Sequence, residues 1–303
     1  MMTARRATRG QEPSFMPVTS RFAPSPTGRL HLGHAWSAIQ AHDRAQGSGG
    51  RFLLRIEDID GTRSRPEFVA GILEDLAWLG LDWEQPVVFQ SARSDLYAAA
   101  IERLRGAGLL YPCFCTRAEI AASLAAPHGD GDPVYPGNCR HLASGERQRR
   151  MTGERYAWRL DMARAIASLA AKDSLVWHDE LAGSVIATPE IHGDVILARK
   201  DAPASYHLAV TIDDAAQGVS HVVRGRDLFA ATHVHRLLQA LLGLPTPVYR
   251  HHALLTDGEG ERLAKRNGAP TLAAMRAAGI DGRKLADDLR NGRLPIGFRL
   301  AGD

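Results

Sequence analysis

Apolar positions along the chain fall into short runs and helical stripes that alternate. Arg51-Phe-Leu-Leu-Arg-Ile56 is a compact apolar run between glycines and acidic residues, which predicts a buried strand. From Glu67 to Leu79, the side chains of Phe68, Val69, Ile72, Leu73, Leu76 and Leu79 share one helical face, and Gly80 supplies the stop. Ser94 is placed to cap a helix carrying Leu96, Tyr97, Ile101 and Leu104. Thr116 with Glu119 makes a capping box for another short helix. Over residues 125–153 the pattern dissolves into Pro, Gly and charge, which predicts a loop-dominated insertion. It returns as strands over Tyr156–Asp161, Val195–Ala198, Ala209–Ile212 and Val219–Val223. A helix then carries Phe229, Val234, Leu237, Leu238 and Leu241 on one face. Strands then helices, repeated, predict an α/β fold with a parallel sheet interrupted near its middle.

Composition narrows this picture without redirecting it. A chain of 303 residues with 45% hydrophobic content can bury a full core. No run approaches the roughly 18 apolar residues of a membrane span. Residues 1–20 lack the apolar stretch of a secretory signal and read as a flexible tail; a start at Met16 would lose nothing recognisable. Three cysteines cannot close a disulfide framework, so the expectation is a reducing cytoplasm. With 37 basic against 34 acidic residues the net charge is only +3, so an RNA site must be a local patch. The expected state is a monomer.

Candidate chemistry begins with Arg21-Phe-Ala-Pro-Ser-Pro-Thr-Gly28 and His31-Leu-Gly-His34. Two prolines and a glycine fix a tight strand-to-helix turn, and Gly33 removes a side chain where a flat ring could approach the backbone. The histidines then sit at a helix N-terminus, whose free amides suit phosphates. Arg262-Leu-Ala-Lys-Arg266, after a glycine-rich lead, places Lys265 on a loop that could neutralise a departing pyrophosphate. Glu57 and Arg224 each end a predicted strand, and in parallel sheets ligands collect there. A carboxylate can hold an ammonium and a guanidinium a carboxylate, so with Tyr206 they could hold an amino acid. Structural ion pairing is the competing account of those residues. Asp58 and Asp60 fit a cap on the next helix better than a metal site.

All three cysteines, Cys113, Cys115 and Cys139, fall within 27 residues. Close-spaced thiols followed by a distant one suit a structural zinc knuckle. Three thiolates need a fourth ligand, and His128 and His141 are chemically ordinary candidates; three unconnected thiols is the alternative.

Taken together, these residues resemble the glutamyl-tRNA synthetase family of class I synthetases over about residues 20–270. Arg21–Gly28 matches that family's opening motif, His31–His34 its HIGH motif, Arg262–Arg266 its lysine loop, and Val223-Arg-Gly-Arg-Asp-Leu228 also fits. Ala264 departs from the serine usual in the loop. The resemblance implies a Rossmann-like parallel sheet, an inserted zinc-containing subdomain and a short C-terminal helical region. It implies that Arg21, Phe22, Ala23, Pro24, Ser25, Glu57, Tyr206 and Arg224 hold glutamate. His31, Gly33, His34 and Lys265 would meet ATP and its magnesium, with His31, His34 and Lys265 catalytic. It makes Tyr135 the fourth zinc ligand beside Cys113, Cys115 and Cys139.

Only 37 residues follow Arg266, and Gly279 and Asn291-Gly292 limit them to one or two short helices. No anticodon-binding region is expected, and the truncated form resembles the glutamyl-queuosine branch of the family. That implies tRNA-independent activation of L-glutamate by ATP and its transfer to queuosine in the anticodon of tRNA(Asp). The expected divisions are a tail over 1–20, catalytic halves over 21–110 and 193–245, an insertion over 111–192 and a lysine-loop region over 246–303. The rivals are a short synthetase charging a tRNA 3′ end and a non-catalytic tRNA-binding paralogue. A dinucleotide-binding oxidoreductase lacks support, because no G-x-G-x-x-G follows a strand.

Overall fold

The computed structural model describes residues 17–116, 118–120, 134–169, 175–257 and 270–301. Strand β1 (Thr19–Phe22) is buried at every position and pairs in parallel with β2 (Arg51–Ile56). Between them runs α1 (Leu32–Gln46), which buries Leu32, Ala35, Trp36, Ala38 and Ile39 against the sheet. Gly50 lets the two strands meet, since a Cβ there would stand 2.0 Å from the Val18 carbonyl oxygen. Strand β3 (Glu84–Phe89) adds to β2 in parallel after α2 (Pro66–Trp78). Proline at the first turn of α2 lacks only an amide that would have no partner anyway, and Gly80 at φ 72° ends it. Helix α3 (Ser94–Gly106) follows.

On the other side of β1 lies β9 (His221–Gly225), tied to it by the Ser220 amide, which donates to the Thr19 carbonyl at 3.0 Å. Strand β10 (Val248–His252) pairs in parallel with β9, and β6 (Val176–Asp179) in parallel with β10. Strand β7 (Gly183–Ile186) closes that side as an antiparallel hairpin with β6. The order across is therefore β3-β2-β1-β9-β10-β6-β7. The β6–β7 hairpin falls within 111–192 in sequence yet joins this main sheet through β10.

A separate antiparallel sheet takes the order β4 (Leu110–Cys113), β5 (Ala157–Leu160), β8 (Ile196–Ala198). Helix α4 (Ser144–Gly153) lies between β4 and β5 in sequence, and helix α5 (Met162–Ser168) between β5 and β8. Helix α6 (Tyr206–Ala216) and helix α7 (Ala231–Leu242) pack with α3 in a second apolar cluster built on Tyr97, Ile101, Leu208, Val234 and Leu237. The chain continues through β11 (Leu255–Asp257), α8 (Leu272–Ala277), α9 (Gly282–Arg290) and β12 (Phe298–Leu300).

Several expectations change. Ala209–Ile212 is helix, inside α6, because α6 is enclosed on most sides and a four-residue apolar run carries no readable period. Residues 144–153 form α4, an almost wholly polar helix that lacks an apolar stripe. Ser94 is the first residue of α3; its hydroxyl donates to the Ser91 carbonyl, and Leu96 is exposed. Asp58 accepts from Ser91 and Asp60 from Thr62 and Arg63, so neither caps α2. The Thr116–Glu119 capping box is present in both directions.

Candidate functional site

A cleft of about 480 Å³ opens at the carboxyl ends of β1, β2 and β9. The residues that line it include Arg21, Phe22, Ala23, Pro24, Ser25, His31, Gly33, His34, Glu57, Tyr206 and Arg224. Every residue expected to meet glutamate is thus brought together, as are the two histidines. Lys265 and the rest of Arg262–Arg266 lie outside the described residues.

Local sequence explains the placement. Arg21 and Phe22 end β1, and the turn after them is pinned when the Glu57 amide donates to the Pro24 carbonyl at 3.0 Å. His31 is the N-cap of α1: its Nδ1 accepts from the Gly33 amide at 3.1 Å, while His34 Nδ1 accepts from the His31 amide at 3.1 Å. This is a capping box built from two imidazoles, with ring centroids 3.9 Å apart. Both neutral rings then carry their proton on Nε2. A Cβ at Gly33 would stand 3.1 Å from His31 Cε1, so the ring that uses the glycine's space in the free protein is His31's own.

Beneath the cleft runs a buried ionic network. Arg21 Nε and Nη2 donate to the two oxygens of Asp214 at 2.9 and 3.2 Å. Arg55 Nη1 also donates to Asp214 at 2.8 Å, and its Nη2 lies 3.4 Å from Glu57 Oε1. Asp213 beside it takes Gln90, Arg93 and the Tyr97 hydroxyl. Burial pushes the Glu57 carboxyl up, and Arg55 and Arg21 pull it back. Asp214 is held below the usual carboxylate range because Arg21 and Arg55 outweigh its burial.

Arg224 is different. Its Nη1 donates to the Tyr206 hydroxyl at 3.2 Å, Nη2 to Thr232 Oγ1 at 2.7 Å and to the Leu228 carbonyl at 3.2 Å, and Nε to His251 Nε2 at 3.1 Å. His235 Nδ1 lies 3.4 Å from Nη2. Burial and the nearby guanidinium push His235 well down, so that ring is neutral. Among the described residues no carboxylate is within ion-pair distance of Arg224. A cation surrounded by neutral acceptors, in a cleft with Glu57 and a helix N-terminus, can receive an anion, an ammonium and phosphates together.

Sequence reasoning missed other cleft residues, including Trp36, Ser37, Asp227 and His252. Asp227 sat in a motif already quoted. The Asp213–Asp214 pair lay just past Ala209–Ile212, the stretch read as a strand. His251-His252, two histidines closing a strand, was a visible signal.

Away from the cleft, the sulfurs of Cys113, Cys115 and Cys139 all lie within 4.8 Å of one another. The Tyr135 hydroxyl is 3.4 Å from Cys113 Sγ and 3.5 Å from Cys115 Sγ, and it accepts from the Cys139 amide at 3.1 Å. Burial raises Cys115 to about 11. For Cys139 burial is outweighed by hydrogen bonds to its sulfur, chiefly from the Phe114 amide, and the thiol is held low. Three sulfurs and a phenol oxygen facing one point suit a thiophilic cation. His141 is outside this cluster, and His128 is outside the described residues.

Comparison with known proteins agrees with this geometry. Residues 17–287 match the family described as tRNA synthetases class I (E and Q), catalytic domain. A glutamyl-Q tRNA(Asp) synthetase of Rhodobacter capsulatus is 48% identical over 270 residues, which span 86% of this chain and 96% of the relative. One of Symbiobacterium thermophilum is 44% identical, covering 86% of this chain and 82% of the relative. The crystal structure of a glutamate-tRNA synthetase from Elizabethkingia anophelis superposes with a TM-score of 0.71 at 29% identity. That match covers 84% of this chain but 53% of the other, so the chain spans about half of that structure's length. The chain belongs to the catalytic-domain family of class I tRNA synthetases (E and Q).

Proposed function

We propose that the chain is an ATP-dependent ligase that activates L-glutamate without tRNA and transfers it to queuosine in the anticodon of tRNA(Asp). One observation carries the reading: the charge of Arg224 is held by neutral partners and faces the same cleft as Glu57 and the His31–His34 helix start. The relatives named glutamyl-Q tRNA(Asp) synthetase supply the acceptor.

Arg21 and Arg224 with Tyr206 take the carboxylates of glutamate, Glu57 takes its ammonium, and the turn Phe22–Ser25 closes round it. Glutamine would offer an amide with one acceptor oxygen where a guanidinium asks for two. His31 and His34 meet the phosphates of ATP, which brings its magnesium. Attack of the glutamate α-carboxylate on the α-phosphorus forms glutamyl-adenylate and releases pyrophosphate, whose charge Lys265 neutralises. A queuosine hydroxyl then attacks the mixed anhydride, AMP leaves, and its phosphate takes the hydroxyl proton. Positioning and charge stabilisation do the work, with no protein nucleophile.

Cys113, Cys115, Cys139 and Tyr135 hold one structural zinc that shapes the insertion over 111–192 and does no chemistry. No helix among the described residues is long and apolar enough to cross a membrane; the reading places a monomer in the cytoplasm.

The test is glutamate-dependent ATP–pyrophosphate exchange by purified protein with no tRNA. Exchange supports the reading. Exchange that appears only with tRNA favours an ordinary 3′-end synthetase, and none in either case a non-catalytic paralogue. Protein stripped of zinc by a chelator that is then removed, and assayed with magnesium, should be impaired in transfer to queuosine-containing tRNA(Asp) and keep exchange; unimpaired transfer by zinc-free protein would remove the role given to the cysteines.

A further inference from the structure

Arg224 is held from behind by His251, and His251 in turn by Asp179; neither lines the cleft. Its Nε donates to His251 Nε2 at 3.1 Å, and the other ring nitrogen of His251 lies 2.7 Å from Asp179 Oδ2. The same Asp179 oxygen accepts the backbone amide of His251 at 3.1 Å. The second Asp179 oxygen accepts the amides of Leu181 and Ala182 at 2.9 Å each, in the turn between β6 and β7. Asp179, His251 and Arg224 are 1%, 4% and 5% exposed, so water does not compete for these bonds.

The arrangement settles where the protons are. An ionised carboxylate only accepts, so His251 Nδ1 carries its hydrogen and Nε2 turns a lone pair to Arg224. The opposite tautomer, or a doubly protonated ring, would set an N–H against the guanidinium N–H. Aromatic rings of Trp177, Phe229 and Tyr249 wall the imidazole, with centroids 5.8, 5.0 and 5.7 Å away, and allow it little freedom. Thr232 Oγ1, itself bonded to Arg224, lies 3.3 Å from His251 Nε2.

We propose that Asp179 and His251 are positioning residues that aim Arg224 at the substrate carboxylate and so determine the preference for glutamate over glutamine. This rests on the glutamate-activating reading above. The physical reason is geometric. The internal partners of Arg224 take Nε–H, both Nη2 hydrogens and one on Nη1, which leaves one Nη1 N–H for the cleft; a carboxylate there answers both that N–H and the un-neutralised charge, whereas a neutral amide answers only the N–H. If Arg224 is released at Nε, the planar fork rotates, that N–H swings off the carboxylate, and glutamate falls towards the level of glutamine.

The experiment compares glutamate- and glutamine-dependent ATP–pyrophosphate exchange, without tRNA, in the wild type and in His251→Phe, His251→Gln and Asp179→Asn, with a thermal melt of each. His251→Phe fills the space but offers no acceptor. It is expected to raise the glutamate KM and to lower the glutamate-to-glutamine ratio of kcat/KM by about tenfold or more, as loss of one charge-assisted bond predicts. His251→Gln keeps an oxygen for Arg224 and should retain most of the ratio. Asp179→Asn should lower it, since an amide must misplace its NH2 group either at His251 or at the two turn amides. A folded His251→Phe protein whose ratio is unchanged, even if slower, overturns the proposal. Should His251→Phe not fold, an Asp179→Asn ratio equal to wild type overturns it instead. A wild type inactive with glutamate removes the parent reading; an active wild type with unmoved variants removes only this inference.

Discussion

Arg55 and Arg224 are both buried near the carboxyl ends of the two parallel strands that flank β1, yet their surroundings are opposite. Arg55 is fully enclosed, with Asp214 at 2.8 Å, Glu57 at 3.4 Å and Asp213 at 3.8 Å. Burial disfavours its charge, but these carboxylates more than restore it and its pKa is raised. Arg224 instead meets a phenol, a hydroxyl, a carbonyl and neutral imidazoles. The first cation is spent inside the protein and holds the sheet to α6. The second is oriented without being neutralised, which leaves its field for a ligand. Arg21 lies between the two cases: it lines the cleft, yet Asp214 grips it with both oxygens.

The contrast breaks most sharply at Arg55. Arg55→Leu takes from three buried acidic groups the cation they share, leaving Asp214 to Arg21 and Asp213 to Arg93, and is expected to cost about 3–5 kcal/mol, as for breaking other buried pairs; urea denaturation would read it as a lower midpoint. Arg224→Ala should do the reverse, leaving the melt near wild type while lowering glutamate-dependent exchange at least about a hundredfold, from lost charge-assisted bonds. Near-normal exchange would take Arg224 out of the site, and a melt as low as that of Arg55→Leu would erase the distinction.

Acid sharpens the comparison by a different route. Burial, followed by the charge of Arg224, depresses His251 to about 4, and burial does the same for His207. In an unfolded chain these rings take up a proton near 6.5. Between those values the unfolded state binds more protons, so the contribution of these rings to stability is constant above about pH 6.5 and falls as pH drops towards 4. Asp214 contributes only lower, because its folded pKa lies below 3.8. A thermal melt that does not change between pH 6.5 and 4 would contradict the neutral cage around Arg224. The smallest effect belongs to Arg51→Ala, which removes an exposed pair with Glu84. It should cost less than about 1 kcal/mol, and salt should shrink it further.

Much of the cleft was legible because its chemistry is local in sequence. Arg21–Gly28, His31–His34, Glu57 and Arg224 each sit where a strand ends or a helix begins, and turn residues and strand ends can be read one segment at a time. The apolar stripes of α2 and α7 were legible for the same reason, since burial on one side leaves a period. Helix α6 left none, because it is enclosed on most sides, and α4 left none because it buries almost nothing. The cysteine spacing announced a cluster, but only the folded loop brings the Tyr135 hydroxyl between the thiols.

By itself, then, the amino-acid order determined the alternating architecture, the strand-end and helix-start residues and the family to which they belong. Tertiary structure alone decided which of the arginines are internally matched and which faces the cleft with its charge intact. The partners that make that difference, Asp213, Asp214, His235, His251 and Asp179, come from α6, α7, β10 and β6. Charge pairing acts over a few ångströms in space, and no spacing along the chain records which carboxylate will lie beside which guanidinium once those elements pack.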